Sequence, residues 1–163
     1  MKTTPPLHKT AAFSLVEITL ALGVAAFALL AIFGLLPASL KTQQASIQQT
    51  TANTIASQIV ADLSAALRLP PGLQSKQFNL RGHWSQAQTP DVLYFVKDGT
   101  FVPGSTNQTN APATAVFRAI VTYLQPPTET TSLADITVTW PAAVDPTTGT
   151  PAGKVETFAA INR

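Results

Sequence analysis

Cysteine is absent from the 163 residues, which excludes disulfides, thiol nucleophiles and sulfur-ligated metal clusters and leaves packing as the source of stability. Histidine is nearly absent: only His8 and His83 occur, so neither an HExxH pair nor a histidine-built zinc site can be assembled. There is no Gly-rich phosphate loop and no GxSxG. Charged side chains make up just 11% of the chain. The carboxylates of Asp62, Asp91, Asp98, Glu129, Asp135, Asp145 and Glu156 are scattered, and a solvated or capping role at turns and strand ends is expected for them. Asp145 with Thr147 and Thr148 offers calcium one carboxylate, whereas calcium takes six or more oxygens, several of them charged; a plain turn is the reading. No enzyme, no cofactor and no metal are expected.

What the chain has instead is one long apolar run. Between Ile18 and Leu36 the only polar side chain is Thr19, and the roughly 24 residues from Phe13 to Leu36 form a helix of about 36 Å at ~1.5 Å per residue, enough for a hydrocarbon core of ~30 Å. Lys2 and Lys9, with His8, flank one end and only Lys41 lies near the other, which places the N-terminus in the cytoplasm and the remainder outside the inner membrane. Those two lysines also account for the formal charge of +2. From Phe13 onward basic and acidic side chains balance, so there is no electrostatic footprint for nucleic acid. Glu17 breaks the pattern. An ionisable group at the edge of a membrane span is costly unless it finds a partner, and so points to function.

Phe13-Ser14-Leu15-Val16-Glu17, preceded by a small residue and a short basic leader, resembles the processing site of type IV pilins and of the pseudopilins of type II secretion. The resemblance implies a leader of residues 1–12, cut between Ala12 and Phe13 by a prepilin peptidase, methylation of the new Phe13 N-terminus, and an assembly role for Glu17, which would pair with the ammonium on Phe13 of an adjacent subunit. Its implied partners are that peptidase and other pilin or pseudopilin subunits. The family usually has Gly before the cut where this chain has Ala12. The block from Phe-Ser-Leu-Val-Glu to Leu-Leu-Pro is also similar to the pilin-like Verru_Chthon cassette proteins. The competing reading of the same residues is an uncleaved single-pass anchor that presents a small extracytoplasmic binding domain, with Glu17 reaching the cytoplasmic headgroups.

Pro37, with Gly34 just before it, is expected to kink or locally unwind the helix. Beyond it, no Gly or Pro occurs from Ala38 to Leu69, and Ile47, Ile55, Ile59, Leu63 and Leu67 recur at multiples of four, which predicts an amphipathic second half, residues 37–69, packed on a sheet of the same chain. The whole helix is read as Phe13 to Leu69, stopped by Pro70-Pro71-Gly72.

Residues 70–163 read as strands and turns. A loop over 73–90 carries Phe78, Leu80 and Trp84 as anchors. Val92–Val96 is a strand that turns at Lys97–Thr100 into Phe101-Val102. Thr114–Leu124 alternates, with Ala115, Phe117, Ala119, Val121 and Tyr123 on one face, and is closed by Pro126-Pro127. Ala134–Trp140 and Lys154–Ile161 form a final hairpin around an Asp145-Pro-Thr-Thr-Gly turn. Trp84 and Trp140 are taken as packing residues. The expected fold is α+β and pilin-like: a long N-terminal helix on three to five antiparallel strands.

Overall fold

A computed structural model describes residues 13–69, 73–81, 89–128 and 131–162. The leader with Ala12, Pro70-Pro71-Gly72, His83, Trp84 and Glu129 lie outside them. The chain divides into two compact units, with the boundary after Gln44. The first consists of the N-terminal part of one helix. The second contains the rest of that helix and a sheet.

Helix α1 runs from Leu15 to Ala66, 52 residues. It starts two residues later than the apolar pattern suggests because Ser14 caps it. The Ser14 carbonyl accepts the first ladder bond from the Ile18 N–H (3.2 Å), and its hydroxyl oxygen accepts a 3.3 Å bond from the Val16 N–H. It ends three residues early, in tight turns from the Arg68 N–H to the Ala65 carbonyl (3.2 Å) and from the Leu69 N–H to the Ala66 carbonyl (3.0 Å). Pro37 sits inside α1 and the helical assignment is continuous through it and Gly34. α1 thus carries Pro37 without a break in the helix, although its ring leaves one ladder bond unmade.

Four antiparallel strands form one sheet in the order β1-β2-β3-β4: β1 Asp91–Phe95, β2 Phe117–Thr128, β3 Thr131–Trp140 and β4 Gly153–Asn162. The expected last hairpin is present, with Trp140 opposite Gly153 and Ile136 opposite Thr157. Pro126-Pro127 does not close β2, which continues to Thr128 across a register irregularity between Leu124 and Thr128 and pairs with β3 in a second hairpin. A bulged ladder tolerates prolines because the missing donors fall where pairing is already broken. The strand expected at Thr114 starts at Phe117. Phe101 makes only an isolated bridge to Phe95.

One face of the sheet carries Leu93 and Phe95, Phe117, Ala119 and Val121, and Ile136 and Val138, all buried with Ala52, Ile55, Ala56, Ile59 and Leu63 of α1 in one cluster. Helix period and strand period meet here: residues three and four apart on α1 share a face with residues two apart on the strands. Ile47, expected in that stripe, is 62% exposed. The first fully buried helix position is Ala52, one turn further on. Phe78 and Leu80 anchor their loop as expected, Phe78 meeting Phe95 and Phe101 edge to face at 5.6 and 5.2 Å.

Candidate functional site

The residues expected to act lie at the head of α1. Phe13 precedes the helix, 77% exposed, and Ser14 is its N-cap. Glu17 then occupies the third helical position, in the first turn, giving the Ser-x-x-Glu spacing of a capping box. The N-terminal end of the helix macrodipole favours an acid in that turn. Ser14 and Glu17 thus have a helix-building reason to sit three apart, visible in the sequence as Ser-x-x-Glu ahead of an apolar run.

From Phe13 to Leu36 the helix is exposed on every side, including Leu15 (79%), Val16 (71%), Phe27 (76%) and Leu30 (72%). A helix apolar all round needs an apolar surrounding, either lipid or other helices. This is the one segment among the described residues long and apolar enough to cross a membrane, and it fits a single-pass membrane protein. Thr19, its one internal polar residue, donates its hydroxyl to the Val16 carbonyl at 2.9 Å and so needs no outside partner. Phe13, Glu17, Ala21 and Ala25 line one side of a shallow groove along the helix, with Ile18 and Leu22 beside them.

In the second unit, two acids expected at the surface are buried instead. Asp62 interrupts the apolar stripe of α1 and accepts from the Ser75 hydroxyl (2.5 Å) and from the Gln77 and Phe78 N–H groups (3.3 and 3.2 Å). Asp91 is fully buried and accepts from the Arg81 Nε (2.7 Å) and backbone N–H (2.9 Å), from the Asn107 amide (2.9 Å) and from the Tyr123 hydroxyl (2.7 Å). Buried carboxylates are tolerated only with such partners. The signal was in the pattern: Asp62 lies three residues past Ile59, and Asp91 shares the parity of Leu93 and Phe95. Both fasten irregular chain, residues 75–81 and 107, to regular elements.

On the sheet's other face Arg118 is buried. It lies over the Tyr94 ring (5.4 Å to the centroid), donates to the Tyr94 hydroxyl (3.1 Å) and pairs through Nη1 with Asp145 Oδ2 (2.9 Å). Hydrogen bonds from the Thr147 side chain and backbone hold the Asp145 carboxyl below its ordinary pKa, burial opposes them, and Arg118 adds to them. That carboxylate, one of the three oxygen-bearing residues considered for calcium, is engaged by Thr147 and Arg118. Among the described residues no cluster of three or more histidines, cysteines or acids is placed to hold a metal ion. Trp140 is buried at an edge-to-face distance of 5.9 Å from Phe117.

No family model, no curated protein and no solved structure matches the chain.

Proposed function

We propose that this chain is a pilin-like structural subunit, a minor pilin or pseudopilin, that a prepilin peptidase cuts between Ala12 and Phe13 and that assembles into a type IV pilus or type II secretion-type filament. The observation that carries the reading is the Phe13-Ser14-Leu15-Val16-Glu17 block at the head of a helix that is apolar and exposed all round to Leu36. Its two surroundings, bilayer before extraction and neighbouring helices after it, account for the same surface. Leu15, Val16, Ile18 and Leu22 supply packing. Glu17, drawn into a low-dielectric bundle, needs a cation, and the freed ammonium of a neighbour's Phe13 is one; a bare buried carboxylate would cost several kcal/mol, on the order of 3–5. The absence of a disulfide and the small sheet favour a minor subunit. In a filament, Gly34 and Pro37 mark where α1 would melt.

Mass spectrometry of the purified native chain tests this: loss of Met1 to Ala12 and one added methyl on Phe13 are expected. Glu17→Ala should leave the protein in the membrane but out of filaments. An intact N-terminus sinks the proposal.

Two observations favour a second reading, an uncleaved anchor carrying an extracytoplasmic binding domain: Ala12 stands where the family has Gly, and Glu17 is already explained as the third residue of a Ser14-capped helix. Under it Met1 to Ala12 are retained, and Glu17→Ala costs only helix-end stability, about 0.5–1 kcal/mol.

A further inference from the structure

The face of the sheet turned away from α1 carries an acid that its surroundings do not pair. Side chains alternate along a strand, so Asp135, between Ala134 and Ile136 of the core, points outward. It stands opposite Thr122 on β2 and Phe158 on β4, and the next outward residues on the three strands are Leu124, Leu133 and Glu156. Its Oδ1 is buried without a hydrogen-bond partner, and among the described residues it forms no ion pair. Lys154, the cation that acts on it, is held by Glu156 at 2.5 Å. These three groups together leave one negative charge. The surface around that charge is apolar for an outward face, with Phe158 67% and Leu124 40% exposed. A half-buried acid without a donor costs stability, and a fold tolerates such a breach of its own rules where function uses it.

The same chain holds a complement. Arg68 follows α1, is exposed, and pairs with no acid among the described residues. Leu67 and Leu69, both half-buried, flank it. The other exposed cations of this unit have no such collar: Lys76 lies between Ser75 and Gln77, and Lys97 adjoins Asp98. Because α1 covers the inner face of the sheet, Arg68 and Asp135 belong to different sides of the domain. A guanidinium offers a carboxylate two parallel donors, and apolar residues around both partners would keep water from the pair.

We propose that Asp135, with Leu124, Leu133 and Phe158 around it, receives Arg68 of a second copy of this chain. The two patches differ, so the contact is head to tail: each copy keeps one patch of each kind free, and the array propagates. This inference rests on the filament reading, to which it adds a contact between domains beside the packing of apolar helices.

The absence of cysteine makes disulfide mapping direct. Full-length Arg68→Cys and Asp135→Cys chains, differently tagged and made together in one membrane, should join on mild oxidation roughly tenfold more than Lys97→Cys and Asp135→Cys chains do. Asp135→Thr should raise the melting temperature yet lower the yield of large assemblies about tenfold, a combination that a merely structural acid would not give. Asp135→Arg and Arg68→Asp should each lose assembly, and the two together in one chain should restore it. The contact alone is overturned if Met1 to Ala12 are removed and filaments form but the tagged chains do not join. It is also overturned if Lys97→Cys joins as readily, or if the double reversal assembles no better than either single one. Joining with Met1 to Ala12 retained would uphold the contact and sink the filament reading; retention without joining would sink both.

Discussion

The indole of Trp140 lies across the backbone of Gly153, its cross-strand partner in the β3–β4 hairpin: a Cβ on Gly153 would stand 2.0 Å from Cζ2 and 2.2 Å from Cε2. The glycine is the socket for the ring. Gly153→Ala should therefore expel Trp140 from its place against Phe117 and cost about 2–3 kcal/mol. Chemical denaturation of the full chain followed by tryptophan fluorescence measures it, and an unchanged midpoint would mean that the ring has another place to go.

Asp62 should matter more than its helix position suggests. Asp62→Ala strips acceptors from Ser75, Gln77 and Phe78 and is expected to destabilise the domain by about 3 kcal/mol, whereas Ser75→Ala, which leaves the carboxylate two backbone donors, should cost about 1–2 kcal/mol. The double variant should cost less than the sum of the two. Strict additivity would show that the 2.5 Å contact is not an energetic unit.

Acid should loosen the turn at Asp145. Its folded pKa is depressed, by the Thr147 hydrogen bonds first and with help from Arg118. The stabilisation is thus fully present above the ordinary carboxylate value of ~3.9 and is lost as pH falls through the lower folded value. The Thr147 amide resonance should follow that titration, and in Asp145→Asn the pH dependence of this resonance should disappear. A Thr147 resonance that ignores pH down to the acid limit would contradict the assignment.

Asp135 is expected to behave in the opposite sense. Burial first, then the Glu156 charge, raise its pKa, Lys154 partly opposing them, and its Oδ1 is buried without a hydrogen-bond partner. A raised folded carboxylate pKa means that ionisation opposes folding, so stability from this residue falls as pH rises from ~3.9 through the folded value. Asp135→Thr, which matches its cross-strand neighbour Thr122, should raise stability at neutral pH by about 1 kcal/mol. A lower melting temperature would show that the charge is used.

The α+β class, the exposed apolar half of α1, the core stripe from Ile55 to Leu63 and the final hairpin were legible because each rests on short-range periodicity, 3.6 on the helix and 2 on the strands. Ile47 misled for the same reason: period tells which side of a helix is apolar, not how far the sheet beneath it extends.

Asp62 and Asp91 mark the same limit for the polar groups. Their parity with Ile59 and Leu93 put them on inward faces, yet what makes an inward carboxylate tolerable is donors ten to thirty-two residues away, Arg81, Ser75 and Tyr123 among them. Residue order alone determined the apolar span, its flanking charges and the Phe13–Glu17 block, because hydrophobicity and charge are properties of neighbours in sequence. Which acids are buried and why position 153 must be glycine were decided only by the tertiary structure, because each depends on the distance between groups that the chain brings together after folding.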